Sequence, residues 1–208
     1  MELVEGVAEI ENVDRLIERL GEIGATHGCV ITAFDARYLV GRTHVERAVE
    51  LAKRAVRRGE NVADDRAIEV LLYAAGRRQI DRAIEIGVPA GEEPVVVCVE
   101  HGEDGDWSER ANAGDDAEKR DDRGDARSED GDGGNDGDGG DIERRERAAA
   151  EAVRGALGPE FEPTAVLGAY DEALVREFYA ISEAELRATD VGITALVGER
   201  VALLDVEK

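Results

Sequence analysis

Val95-Val96-Val97-Cys98-Val99 is the stretch on which the architecture turns. Four valines and a cysteine in unbroken succession lack the polar alternation of a strand with one wet face. β-branched side chains suit a pleated backbone, so the run reads as a buried central strand. Such a strand needs neighbours. Toward the N-terminus, Cys29 to Phe34 and Glu2 to Ile10 read as two more strands, and between them Val13 to Ile23 carries Leu16, Ile17, Leu20 and Ile23 at helical spacing.

The segment between the second strand and the valine run is helical. Thr43-His44-Val45-Glu46 has the form of a capping box, with Thr43 as N-cap and Glu46 three residues on. Val45, Ala48, Val49, Ala52 and Val56 then make a buried stripe that stops at Gly59. Asp64 or Asp65 caps a further helix bearing Ile68, Leu71, Leu72 and Ala75, which Gly76 ends, and a short helix follows from Gln79 to Ile86. Later in the chain, Ile142 to Leu157 reads as a helix, Phe161 to Leu167 as a weak strand, and Ser182-Glu183-Ala184-Glu185 as a second capping box. Ile193, Leu196, Val197, Val201 and Leu204 form one stripe of a terminal amphipathic helix, to which Ala202, Leu203 and Val206 add apolar surface beside it. The expected fold class is α+β: a single domain with a mixed, mainly antiparallel β-sheet packed with helices.

The valine run leads directly into a stretch of another kind. Residues 101–141 hold 16 acidic residues, five basic ones and ten glycines, with Trp107 the only large apolar side chain. Such a composition cannot build a core, so the expectation is a disordered acidic insertion, with residues 1–100 and 142–208 forming one folded body. Asp130 to Asp141 is rich in carboxylates, but its spacing does not match a calcium-binding loop. Across the 208 residues, 49 acids face 26 bases for a formal charge of −23, and only Lys53, Lys119 and Lys208 are lysines. That pattern suits a high-salt, archaeal cytoplasm, where screening lengths shrink to about 3 Å at 1 M salt. An acidic mesophilic protein is the other reading. No apolar run approaches the roughly 20 residues of a membrane span, and the start of the chain lacks the form of a signal peptide, so a cytoplasmic location without membrane association is expected. Cys29 and Cys98 lie in β-like runs and have no paired Cys or His spacing, so reduced, buried thiols and no metal are expected.

Residues 36–80 reverse the global charge, with ten Arg or Lys against six Asp or Glu. By charge alone two readings stand: an anionic partner, or arginines paired along helices with glutamates, as Glu50 with Arg54. The words within this stretch add a resemblance. Gly41-Arg42-Thr43-His44 opens a helix, and Glu69-Val70-Leu71-Leu72-Tyr73-Ala74-Ala75-Gly76-Arg77-Arg78-Gln79-Ile80 follows. Together with Phe178 to Leu186 and Arg200 to Asp205, these residues resemble the Cgi-type accessory subunit of the KEOPS complex, the PRPK-binding protein family, over nearly everything except the insertion. The family does not generally carry so long and acidic an insertion.

The resemblance implies a non-catalytic adaptor that binds the 3′ CCA end of tRNA and docks on the small atypical kinase of KEOPS, which installs threonylcarbamoyladenosine in tRNA. RNA contacts are then expected from His44 and Arg42 at the helix start and from Arg77, Arg78 and Gln79 after Gly76, with Glu69 and Tyr73 behind them; for His44 a histidine merely satisfied at the loop–helix junction is the alternative. Kinase docking is expected through Ile193, Leu196, Val197, Val201 and Leu204, for which plain burial is the alternative. No cofactor and no small-molecule substrate are implied. An enzyme pairing His44 with Glu69 or Asp35 has little support, because no nucleophile setting, phosphate loop or metal triad occurs. A kinase-regulating interaction module without RNA contact is the stronger rival.

Overall fold

The structure, a computed structural model, describes residues 1–102, 138–188 and 190–206. In chain order the elements are β1 (Glu2–Ile10), α1 (Val13–His27), β2 (Cys29–Asp35), a 3₁₀ turn (Ala36–Tyr38), α2 (Arg42–Arg58), α3 (Arg66–Ala75), α4 (Ile80–Ala83) with a 3₁₀ turn (Ile84–Ile86), β3 (Gly91–His101), α5 (Asp138–Ala156), β4 (Glu162–Pro163), α6 (Glu172–Phe178), α7 (Glu183–Ala188) and α8 (Gly192–Val206). The fold is α+β. Its sheet runs β2-β3-β1-β4 with every pair antiparallel, and Val97 of β3 sits opposite Val4 on one side and Ala33 on the other.

The valine run lies at the centre of that sheet. Its side chains alternate between two cores: Val95, Val97 and Val99 pack with Leu16, Leu20 and Ile23 of α1 and Ala149, Ala150 and Val153 of α5. Val96 and Cys98 pack with α2, α3, α6 and α8 on the opposite face. Helices therefore cover both faces, which is why no residue of the run needed to be polar. Both blocks that flank the acidic stretch contribute to these cores, α5 to one and α8 to the other. Cys29 and Cys98 are free and buried, and burial pushes both thiols up.

Several boundaries differ from expectation for local reasons. α1 runs on to His27 and ends at Gly28 in the left-handed region, while Ile17 is half exposed at 50 %. α2 starts at Arg42, so Thr43 is not an N-cap; Gly41 takes that place with no side-chain cap, and Glu46 pairs with Arg42 instead. Val56 is only partly buried, and Leu51 and Ala55 fill the stripe. Asp65 does cap α3, its carboxylate accepting the Ile68 amide at 3.0 Å. The helix expected from Gln79 to Ile86 is one turn of α4 followed by a 3₁₀ turn, with Gln79 as N-cap.

The weak strand shrinks to Glu162–Pro163, paired with Gly6 and Val7. Gly6 is required there, because a Cβ would meet the Glu162 carbonyl oxygen at 2.3 Å. The Ser182 box forms as expected: the Glu185 amide donates to the Ser182 hydroxyl, and the Glu185 carboxylate accepts from the Ser182 amide. The acidic stretch is shorter at both ends than its composition suggests, since His101 completes β3, Gly102 bonds the Gly28 carbonyl, and α5 starts at Asp138. The expectation of disorder for residues 103–137 lies outside the described residues. Among those described, no helix is long and apolar enough to cross a membrane.

Candidate nucleic-acid interface

The candidate site is built on the way α3 ends. Gly76, at φ 59°, turns the chain into the left-handed region, and the Arg77 amide returns to the Leu72 carbonyl at 3.1 Å. The Ala74 carbonyl is one of the acceptors a helix leaves open at its C-terminus. Two side chains take it: His44 Nε2 from α2 and Tyr179 Oη from the end of α6, each at 2.9 Å. Because that oxygen can only accept, Nε2 carries the ring proton. His44 is 4 % exposed, burial pulls its pKa down to about 4, and its Nδ1 has no hydrogen-bond partner among the described residues. The expected RNA contact at His44 is thus corrected. With α2 starting at Arg42, His44 turns inward and bolts α2 to α3.

Glu69 and Tyr73, expected behind the contacts, are buried and make no direct contact with solvent. Glu69 is 1 % exposed and accepts the amides of Val62 and Ala63, both at 2.9 Å, so it fastens the loop between α2 and α3. Tyr73 is fully buried and its hydroxyl donates to Asp205 on α8 at 3.4 Å, while Arg54 of α2 lies 2.6 Å from the same carboxylate. Burial and that carboxylate push the Tyr73 phenol up.

What reaches the surface is the turn itself. Arg78 and Gln79 are exposed, directly after the Gly76 bend. Arg77 is half-buried; it donates to the Phe178 carbonyl, and its guanidinium carbon sits 5.6 Å from the centre of the Phe178 ring. Arg200 of α8 takes the next carbonyl, Tyr179, at 3.4 Å and pairs with Glu185. Phe178 packs edge-to-face with Tyr38 at 5.3 Å and with Tyr179 at 4.9 Å. Gly76 lies so close to α8 that a Cβ would come within 3.0 Å of the Arg200 carbonyl oxygen. Phe178, Tyr179, Tyr38 and Arg200 were not anticipated as parts of this site. A signal existed: in a chain with three Phe and four Tyr, adjacent Phe178-Tyr179 is an unusual concentration of aromatic surface.

The local charge reversal has a structural answer. Arg37 pairs with Asp35 at 2.7 Å and Glu93 at 3.0 Å, Lys53 with Glu100 at 2.5 Å, and Arg54 with Asp205. Those four carboxylates lie outside residues 36–80. Within the stretch, the exposed Arg42 pairs with Glu46 at 2.9 Å, and Glu50 pairs with Arg47 at 3.0 Å rather than with Arg54. Much of the excess is therefore matched in three dimensions, and charge alone does not point to RNA.

On α8, Ile193, Leu196, Val197, Val201 and Leu204 are all at most 8 % exposed and belong to the core, which corrects their expected role in docking. The opposite side carries exposed Thr194, Glu199 and Leu203, with partly buried Ala195, Gly198 and Ala202 between them. No family model matches the chain, and no curated protein matches it.

Proposed function

We propose that this chain is a non-catalytic tRNA-binding subunit that holds the 3′ CCA end and docks on the small atypical kinase of a KEOPS-type complex, in the cytoplasm of a salt-adapted archaeon. The sequence resemblance supports this reading. The structural observation that carries it is the α3–α4 turn, which presents Arg78 and Gln79 to solvent from a support fixed by the Ala74, Phe178 and Tyr179 carbonyls. A rigid turn of this kind loses little freedom on binding, and its guanidinium and amide suit phosphate and base edges of a single strand. The non-catalytic part is supported by the fate of the acid–base candidates: His44 and Glu69 are buried in structural hydrogen bonds, and Asp35 is held by Arg37.

Docking on the kinase moves to the outward face of α8, where Leu203 is 45 % exposed. A second reading, a kinase-regulating module without RNA contact, is favoured by the pairing of so many arginines with carboxylates. Titration of labelled tRNA, with and without its 3′ CCA end, separates the two across a salt series. CCA-dependent binding that is lost in a folded Arg78→Ala/Gln79→Ala variant supports the adaptor. Capture of the kinase with no RNA binding at any salt supports the module.

A further inference from the structure

We infer that Arg77 serves RNA as a stacking plane for one unpaired base, rather than as a phosphate contact; this rests on the reading of the α3–α4 turn as an RNA site. Three observations limit what Arg77 can do. Its guanidinium lies over the Phe178 ring, one amino group is committed to the Phe178 carbonyl, and the side chain is half-buried. It cannot swing out to follow a phosphate without giving up both contacts. A guanidinium held against an aromatic ring instead offers its remaining face as a flat, delocalised surface, which suits a nucleobase and which a lysine cannot reproduce.

The surroundings fit that use. Tyr38 backs Phe178 edge-to-face at 5.3 Å, and Tyr179 braces it from another side at 4.9 Å, so the ring beneath Arg77 is fixed. Arg78 and Gln79 are exposed and next in sequence, and their guanidinium and amide suit a phosphate and a base edge. Stacking of this sort is tolerant of base identity and belongs to single strands.

The test is a double-mutant cycle using the full chain and an RNA hairpin with a single-stranded 3′ CCA extension. The partners are Arg77→Lys on the protein and removal of one base at each of the last three RNA positions. Arg77→Lys is expected to weaken binding about tenfold, with the slope of log K against log salt unchanged because the charge is kept. At one position, the losses from Arg77→Lys and from base removal should fail to add. Unchanged affinity, additive losses at every position, or a slope smaller by about one would overturn the inference. Should Arg77→Lys not fold, Phe178→Leu, which keeps the carbonyl but removes the ring, must show the same non-additivity; intact binding by folded Phe178→Leu overturns it equally. Absence of binding by the unaltered chain overturns the RNA reading itself, which is a different result from binding with additive losses.

Discussion

His44 Nε2 and Tyr179 Oη, from residues 135 apart, meet on a single acceptor, the Ala74 carbonyl, each at 2.9 Å. The arrangement closes the C-terminus of α3 with side chains from α2 and from the end of α6. It also explains why a histidine sits where a surface contact was expected: an orphan carbonyl facing the core needs a donor, and a neutral imidazole supplies one.

The first prediction follows from that imidazole. Its folded pKa of about 4 lies below its ordinary 6.5, so the unfolded chain binds the proton more readily. The stabilisation from neutral His44 is complete above about pH 6.5 and falls as pH drops toward 4, by about 3 kcal/mol in all at 1.4 kcal/mol per unit. Carboxylate titration adds its own slope in so acidic a chain, so the comparison is with His44→Gln. Denaturation at fixed salt should give a flatter profile for the variant between pH 6.5 and 4. Parallel profiles would remove the assignment.

Gly76 and Gly59 provide a second, internally controlled prediction. Both end helices with positive φ, 59° and 66°, but a Cβ at Gly59 meets open space, whereas one at Gly76 meets the Arg200 backbone at 3.0–3.1 Å. Gly59→Ala should cost about 1 kcal/mol, the cost of the left-handed conformation alone. Gly76→Ala should cost about 1 kcal/mol more, since α8 must shift to admit the methyl. Equal losses in chemical denaturation would mean that α8 does not rest on the α3 terminus as described.

The third concerns Glu100, 2 % exposed at the end of β3 and paired with Lys53 at 2.5 Å. Burial raises the Glu100 pKa, and Lys53 and Arg66 only partly offset it. A carboxyl whose folded pKa is raised favours the folded state fully below its unfolded value, and that contribution is lost as pH rises through the folded value. Lys53→Met removes the nearest cation, so it should destabilise by about 3 kcal/mol at neutral pH and by much less near pH 4. Pairing it with Glu100→Gln should recover most of the loss at neutral pH. A loss independent of pH would show that Lys53 acts through packing.

How far the sequence could be read depended on whether one local pattern decided a feature. Val95 to Val99 sufficed for the central strand because both faces are covered, and Asp65 and the Ser182 box formed because each cap is satisfied within four residues. The start of α2 was misplaced because a capping-box pattern at Thr43 competed with a Gly41 entry, and only the partners of His44 decide between them. α6 was missed because it is seven residues long and joins the core through one fully buried residue, Val175. In the candidate site, Arg78 and Gln79 were legible as exposed turn residues. The pairing of Arg54 with Asp205 and of Lys53 with Glu100 was not, since those partners are 151 and 47 positions away.

Leu203 and Leu204, adjacent on α8, give the last prediction. Leu204 is 4 % exposed in the core shared with α2 and α3, and Leu203 is 45 % exposed on the outward face. Leu204→Ala should cost about 3 kcal/mol in unfolding, while Leu203→Ala should cost only about 1 kcal/mol because nearly half of it stays in water. The proposed docking on a kinase would reverse that order. If the outward face is the docking surface, Leu203→Glu leaves the fold as it is and abolishes co-purification with the kinase, because a charge is desolvated without a partner. Leu204→Ala, at a temperature where it is folded, retains the complex. A stable Leu203→Glu chain that still captures the kinase with undiminished affinity would move the docking surface off α8, since the residues of the other face are already committed to the core.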